Sequence, residues 1–519
     1  MTARAVGYQP TRCGTHFITQ PSIYLLIIPS TIYLSTYSSV IMPLTQKTYN
    51  VLFLGSGQSA NALAKDFARA GQRTAMIERS ALGGTCVNVG CTPTKTIIAS
   101  GRVAYLSRRA ADYGVKTGPV AVDMEKVRDR KRKIVEQWNS GSVSGLEKAG
   151  VDVFMGEGRF VAEKKVQVQL HGGNQVELTA DTVFISAGER AAKPDIEGLD
   201  AVDKDRVVDS TSIMELAVVP KHLVVLGGGY IGLEFGHLFR RLGAEVTVIQ
   251  RAKQLVPKED PDVADCLRKI LEQDGMSINL SANVKSIVKT GDAEKPFSVE
   301  FQTSTGSEAS VAGSHLLLAA GRRPNTDLLD MSKAGVKTTP KGHVIVNDKL
   351  RTNVDGIFAL GDIHGGPAFT HMSYDDARII RTNLLSSTLD ETTPKMPTTI
   401  TSTSRVLTPY VMYTDPQLGH VGLHDRDLGH RRVKTAVMPM EYVARALETA
   451  EPRGMMKATV DADTGEILGF TCLGLEGGEV MSIVQTAMMG GLRWWDLQAA
   501  VYAHPTLAES LNNLWGYLK

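Results

Sequence analysis

Two cysteines, Cys86 and Cys91, stand five residues apart in the run Gly83-Gly84-Thr85-Cys86-Val87-Asn88-Val89-Gly90-Cys91-Thr92-Pro93-Thr94-Lys95. Cysteines so placed can exchange two thiols for a disulfide or supply half of a metal site. A regular helix rises about 7.5 Å over five residues. Bridged Cα atoms lie no more than about 6.8 Å apart. A pair that closes therefore requires the chain near Gly90 to leave regular helix. Thr92 and Pro93 read as the N-cap and first residue of a helix whose positive end faces the cysteines. That field favours a thiolate and can bring a cysteine pKa down to roughly 3.5–7.5. No second Cys or His pair lies nearby, so redox chemistry is expected and no resident metal. Two buried structural cysteines are the plainer alternative. A second reactive pair closes the chain, in Tyr502-Ala503-His504-Pro505-Thr506-Leu507-Ala508-Glu509. A carboxylate five residues on can orient an imidazole, although a lone histidine is more often structural.

Two stretches look built to position a cofactor against these groups. Residues 49–54 form a β-like run, followed by Gly55-Ser56-Gly57-Gln58-Ser59-Ala60 and a helical pattern with Ala60, Leu63, Ala64, Phe67 and Ala68 on one face. Gly71 caps that helix, and a second strand over 74–77 leads to Glu78. This is a βαβ dinucleotide unit, in which Gly55 and Gly57 let backbone approach a pyrophosphate. The helix N-terminus receives its charge, and Glu78 can accept from ribose hydroxyls. Ala60 replaces the third glycine. The unit recurs as a strand over 223–226, then Gly227-Gly228-Gly229-Tyr230-Ile231-Gly232. A helix follows with Ile231, Phe235, Leu238, Phe239 and Leu242 on its apolar face. Gly243 ends it, and the next strand spans 245–249. Gln250 stands where the first copy has Glu78, with Arg251 and Lys253 beside it. A basic residue there can pair with a 2′-phosphate that an acid would repel. NADPH is therefore expected, with NADH usable if Arg251 and Lys253 are only solvated charges.

Between and beyond these units the pattern is coarser. Residues 96–150 read as helical, and their basic run, Arg128, Arg130, Lys131, Arg132 and Lys133, as a solvated helix face. Strands are expected over 151–155, 165–170, 182–185 (leading into Ala187-Gly188), 315–320 (leading into Gly321) and 357–360. Asp362 follows Gly361 directly after the last, where an acid suits a ribitol or ribose hydroxyl. Residues 386–404 are mostly Ser, Thr and Pro and read as a linker. The first 45 residues are apolar and hydroxyl-rich, with Pro29 cutting the longest apolar run. They read as a targeting segment, a tail, or sequence upstream of a true start at Met42. At 519 residues, 43% hydrophobic and 22% charged, with five cysteines and a net charge of +2, the chain describes a globular protein of about three domains. Composition gives no reason to expect nucleic-acid or membrane partners.

Two dinucleotide units around a Cys-x4-Cys pair resemble the class I pyridine nucleotide–disulfide oxidoreductases over roughly residues 47–519. The likeness leans to the branch of mercuric reductases and the reactive-chlorine resistance copper reductase. Its specific signals are residues 83–95 and 503–510, with 369–381, 443–449 and 504–515 carrying the branch. The resemblance implies an α/β fold with two Rossmann-like domains and a C-terminal α+β dimerisation domain. FAD would be bound by 46–195 with 324–395, NAD(P)H by 196–323, and the dimer would form through 405–519. Gly55, Gly57, Ala60, Glu78, Gly84, Thr85, Ala187, Gly188, Gly361, Asp362 and Thr370 would hold FAD. Gly227, Gly229, Gly232, Gln250, Arg251 and Gly321 would hold the nicotinamide nucleotide. Cys91 would face the flavin, Cys86 would be the interchange thiol, and Lys95 would pair with Glu234. A helix starting near Ser373 would aim its N-terminus at the flavin. His504, steered by Glu509, would act as acid–base group in the partner subunit of a homodimer. The acceptor would be a metal ion such as Hg(II) or Cu(II), or a disulfide. A dihydrolipoamide dehydrogenase, a glutathione-type reductase or a flavin redox sensor without turnover are the alternatives. The chain lacks the terminal cysteine pair of mercuric reductases and keeps His504, which they replace. The compartment expected is cytoplasmic, or mitochondrial if residues 1–41 are translated and act as a targeting segment.

Overall fold

The computed structural model describes residues 45–385, 400–405 and 407–519. The readings offered for residues 1–44 and 386–399 lie outside them. Three sheets organise the rest. The first is built from β1 (Thr45–Leu54), β2 (Thr74–Glu78), β3 (Asp152–Ala162), β4 (Lys165–Leu170) and β5 (Gln175–Ile185), with Ile357–Ala359 at its edge. β1 lies parallel between β2 and β5, with Leu54 opposite both Ile77 and Ile185. β3, β4 and β5 form antiparallel pairs. Val51, Leu52, Phe53 and Leu54 are all buried, as a parallel strand covered on both faces requires. Phe53, Phe67, Phe184 and Phe358 pack as one aromatic stack, with neighbouring centroids 4.8–5.5 Å apart.

Helix α1 (Gln58–Arg69) joins β1 to β2. Short α2 (Gly84–Asn88) and α3 (Cys91–Arg108) follow, then α4 (Met124–Ala149). The helical reading of 96–150 thus breaks between α3 and α4, where Gly114 takes φ +74°. Asp123 restarts the helix by accepting from Lys126 N at 3.0 Å. The basic run of α4 is not simply a solvated face. Lys131 is buried and pairs with Glu215, Arg132 pairs with the same carboxylate, and Arg130 donates to Thr96 O at 2.8 Å. These cations tie α4 to its neighbours.

The second sheet is parallel, in the order Ser277–Asn279, Glu245–Ile249, His222–Leu226, His315–Leu318, Val207–Val208. Helix α5 (Tyr230–Leu242) connects two of its strands, and α6 (Pro261–Gln273) precedes Ser277. Helix α7 (Thr370–Leu385) packs on α1. The third sheet is antiparallel, in the order Tyr410–Met412, Gln417–Gly422, Ile467–Gly474, Met455–Asp461, Val433–Pro439. The molecule is therefore an α/β protein with two Rossmann-like units and a C-terminal α+β unit, as the family resemblance implied.

A buried cation ties the start of α6 to the third sheet. Lys457, 5% exposed, reaches Asp425 Oδ2 at 2.6 Å, Asp262 Oδ1 at 3.0 Å and Asp260 Oδ2 at 3.0 Å. Hydrogen bonds to these carboxylates outweigh burial and raise its pKa. Lys457→Met leaves three carboxylates facing one another without a counter-charge. It is expected to lower stability by about 3 kcal/mol, read as an earlier first transition in chemical denaturation.

Candidate active site

The dithiol run folds as two helices broken where the Cys spacing required. α2 ends at Asn88, and Gly90 (φ −131°, ψ −118°) is the N-cap of α3. A Cβ on Gly90 would lie 2.8 Å from Thr85 O, so a side chain is excluded there. The helix begins at Cys91, two residues before the position read from Thr92 and Pro93. Thr92 lies inside the first turn, so it does not cap the helix. Cys91 itself thus sits at the positive end of an 18-residue helix.

Cys86 and Cys91 are free thiols, hydrogen-bonded to each other. Cys91 Sγ lies 3.3 Å from Thr370 Oγ1 at the start of α7. The bond from Cys86, helped by Thr370 and the Lys95 ammonium, outweighs burial and lowers the Cys91 pKa to about 6. The Cys86 proton is held in that same bond, and burial pushes its pKa up further. The pair is thus split, with Cys91 shifted toward the thiolate and Cys86 toward the thiol. α7 begins at Thr370, three residues before the start expected near Ser373.

One turn into α3, Lys95 Nζ lies 2.8 Å from Glu234 Oε2 of α5. The other oxygen of Glu234 accepts from Tyr413 N at 2.8 Å, and Lys95 Nζ stands 4.9 Å from the centre of the Tyr413 ring. Tyr413 was not legible in the sequence, because its contribution is a backbone N–H. The same close crossing of α3 and α5 puts a Cβ on Gly101 2.8 Å from Leu238 Cδ1.

The two glycine loops are built alike. Gly55 (φ +97°) would bring a Cβ to 2.4 Å from Ser186 O, and Gly227 (φ +113°) one to 2.5 Å from Ala319 O. In the first loop, Glu78 Oε2 accepts from Ser56 N at 3.1 Å and Ser56 Oγ at 2.6 Å, and its other oxygen accepts from Ser80 N at 2.8 Å. In the second, Gln250 Oε1 accepts from Gly228 N at 2.9 Å. An acid and an amide thus close equivalent turns. Ala60 is buried without strain, whereas a Cβ on Gly232 would lie 2.1 Å from Gly227 O. Helices α1 and α5 start on Gly57 and Gly229, with no side-chain cap and no acid in the first turn. Such helix ends fit a dinucleotide pyrophosphate.

The remaining expected residues lie around these loops. Gly84 packs on Gly57, where a Cβ would approach Gly57 Cα to 2.7 Å, and Thr85 is exposed beside it. Asn325 fixes the turn after β5, donating from Nδ2 to Ala187 O at 2.7 Å and from N to Gly188 O at 3.1 Å. Gly321 takes φ +150° after the strand His315–Leu318. Gly361 N donates to Asp376 Oδ2 at 2.7 Å, and burial raises the neighbouring Asp362 carboxyl, whose nearest cation is Arg322 at 3.9 Å. Arg251 and Lys253 are exposed. His504 Nδ1 lies 2.8 Å from Glu509 Oε2, with the imidazole 73% exposed. Among the described residues no hydrogen bond joins His504 to either thiol.

Residues 49–377 match the pyridine nucleotide-disulphide oxidoreductase family, and residues 408–514 its dimerisation domain. The mercuric reductase of Lysinibacillus sphaericus is 31% identical over 471 residues, covering 90% of this chain and 82% of that one. The probable pyridine nucleotide-disulfide oxidoreductase RclA of Escherichia coli (strain K12) is 32% identical over 478 residues, covering 91% and 99%. The mitochondrial dihydrolipoyl dehydrogenase of Pisum sativum is 30% identical over 471 residues, covering 89% and 90%. Among solved structures, the Cu(II) complex of the HOCl-induced flavoprotein disulfide reductase RclA from Escherichia coli superposes with a TM-score of 0.80 at 30% identity, covering 91% and 99%. The chain belongs to the class I pyridine nucleotide-disulphide oxidoreductases, flavoprotein enzymes that use FAD and NAD(P)H.

Proposed function

We propose that this protein is a homodimeric reductase that draws electrons from NADPH and delivers them through the Cys86–Cys91 pair to a metal ion, Hg(II) or Cu(II), or to a disulfide. The observation that carries the reading is the free Cys86–Cys91 pair at the start of α3, with Thr370 Oγ1 3.3 Å from Cys91 Sγ and the Lys95–Glu234 pair one turn on. FAD would be held by the first loop (Gly55, Gly57, Ala60, Glu78), by Gly84 and Thr85, and by Ala187, Gly188, Gly361, Asp362 and Thr370. When bound there, it would supply the two-electron link between nicotinamide and the cysteine pair. NADPH would be held by Gly227, Gly229, Gly232, Gln250, Arg251 and Gly321. The described residues include no helix long and apolar enough to cross a membrane.

The residues divide the work by proton position. In the reduced pair, the Cys91 thiolate takes the Cys86 proton as Cys86 Sγ attacks an acceptor disulfide, releasing one thiolate. Cys91 passes that proton to the first leaving thiolate, its Sγ then displaces the second thiolate from Cys86, and the Cys86–Cys91 bond forms as the acceptor gains two electrons. The leaving thiolates need protons. His504, oriented by Glu509 and reaching in from the partner subunit, would supply one. With Hg(II), the two sulfurs would ligate the ion and the Cys86–Cys91 bond would form as it takes two electrons; with Cu(II), two ions would each take one, and in neither case does a leaving thiolate need a proton donor. Lys95, held by Glu234, keeps positive charge beside Cys91. Exposed apolar side chains on the C-terminal unit, Val501 at 99%, Met489 at 71% and Trp495 at 45%, support burial against a second copy.

The intact His504–Glu509 pair favours a second reading, in which the acceptor is a disulfide and the likeness to mercuric reductases is one of ancestry. Gln250, which puts an amide where the first loop has an acid, favours NADPH over NADH in either case.

Cys86→Ser is expected to abolish NADPH consumption with Hg(II), Cu(II), glutathione disulfide and lipoamide alike, while the protein keeps its flavin. His504→Ala separates the two readings, since it should cost about 10²–10⁴-fold with a disulfide and little with a metal ion. Undiminished turnover in Cys86→Ser with any of them would sink the dithiol route. In the reduced protein, the ultraviolet thiolate absorbance assigned by difference from Cys91→Ser should titrate near pH 6, with thiolate above and thiol below. Removing a neighbouring cation raises a thiol pKa, so Lys95→Met should move the midpoint upward by about one unit or more. Steady-state kinetics with both nucleotides should give a higher kcat/KM for NADPH, and Arg251→Ala should narrow the preference by about tenfold.

A further inference from the structure

Among the described residues, two groups of side chains come close enough to hold a metal ion, and they share one loop. The first is Asp260, Asp262 and Asp425. Its cation is already built in, because the Lys457 ammonium contacts all three carboxylates. The second is Glu259, His420 and His424, with one donor atom from each within 4.8 Å of the others. These three are 2%, 2% and 6% exposed. No lysine or arginine is found on Glu259 among the described ion pairs. Two donor atoms, Glu259 Oε2 and His424 Nδ1, have no hydrogen-bond partner at all among the described residues. A buried carboxylate oxygen and a buried imidazole nitrogen that make no hydrogen bond are costly unless something else satisfies them.

The atoms around the cluster hold it in that state. Glu259 Oε1 accepts from both Tyr230 and Tyr410 hydroxyls at 2.7 Å, which fixes the carboxylate and leaves Oε2 free. His424 Nε2 is bonded to the Tyr410 hydroxyl at 3.0 Å, which fixes that ring and leaves Nδ1 without a hydrogen bond. Asp260 Oδ1 stands 3.5 Å from His424 Nδ1, but it already accepts from Asp425 N at 3.0 Å. Outer hydrogen bonds of this kind are what orient metal-ligating carboxylates and imidazoles. The His420 and His424 rings stack in parallel, with centroids 3.8 Å apart. One ring must therefore turn for both lone pairs to meet at a point. For His420 to do so, its Nδ1 bond to Thr471 Oγ1 at 2.8 Å and its longer Nε2 contact with Gly422 O at 3.2 Å would both have to give way.

We propose that Glu259, His420 and His424 form a binding site for a divalent first-row transition-metal ion such as Zn²⁺, separate from the cysteine pair. Two imidazoles and a carboxylate suit such an ion and suit Mg²⁺ or Ca²⁺ poorly. The ion would join the loop before α6 to the strand Gln417–Gly422, the same two parts that Lys457 joins next door. Asp260 would offset its remaining charge from the second layer.

The test uses the flavin-loaded full chain carrying Cys86→Ser and Cys91→Ser, so that the dithiol cannot take the ion. After equilibration with Zn²⁺ alone and removal of the excess, elemental analysis should find about one zinc per chain. X-ray absorption should show only nitrogen and oxygen neighbours at about 2.0–2.2 Å, with imidazole scattering. Adding Glu259→Gln or His424→Ala should weaken retention by about tenfold or more. The proposal is overturned if the double-serine protein keeps no zinc, or if both further variants keep it unchanged. Sulfur in the zinc shell overturns it equally, and that measurement needs no variant of the three ligands to fold.

Discussion

The contact between Lys95 and Glu234 is the joint on which the two halves of the chemistry meet. Lys95 belongs to the helix that starts on Cys91, and Glu234 to the helix that starts on the second glycine loop. A charge pair this shielded holds only if its remaining valences are met. Tyr413, from the C-terminal part of the chain, meets one through its backbone N–H, and its ring lies under the ammonium. Three regions far apart in sequence thus converge on one carboxylate. The close packing of Gly101 on Leu238 leaves α3 little freedom to shift along α5. The position of the sulfur at the head of α3 is therefore tied to the position of the second loop.

The electrostatics follow from this arrangement. Cys91 gains from a helix start, a nearby ammonium, a threonine hydroxyl and its own partner thiol, all acting against burial. Cys86 is pushed the opposite way by the same bond. Two chemically identical side chains are thereby made different, which is what an ordered exchange of sulfurs requires. The asymmetry arises from the break at Gly90, where contact with Thr85 leaves no room for a side chain.

Much of this was legible in the sequence because it rests on short-range pattern. Both glycine loops, their flanking strands and the cysteine spacing are local, and the break between the cysteines followed from the reach of a disulfide alone. Most of what was misread depended on partners distant in the chain, the start of α3 being the exception. Thr92 and Pro93 look like a helix start, but Gly90 can adopt a conformation that lets the helix begin earlier. Lys131 looks like one cation of an exposed run until Glu215, 84 residues on, is seen to face it. β1 begins at Thr45 rather than near residue 49 because polar residues there pair with β5, which leaves no mark on hydropathy. Thr370 was placed only by family likeness, and its approach to Cys91 spans 279 residues. His420 and His424 stand at a spacing metal ligands can have, but Glu259 comes from a loop far away in sequence, so the three together leave no local signal.

The amide of Gln250 gives the second loop a kind of modularity. It makes the turn-closing bond to Gly228 N that Glu78 makes to Ser56 N in the first loop, but without a charge. On the proposed reading, holding the turn and choosing the nucleotide are separate tasks on separate residues. The brace is buried, and the basic residues beside it are exposed. Substitution at Arg251 or Lys253 would then retune which phosphate pattern is welcomed without loosening the turn. On the first loop one carboxylate would carry both tasks, and no such retuning would be open to it.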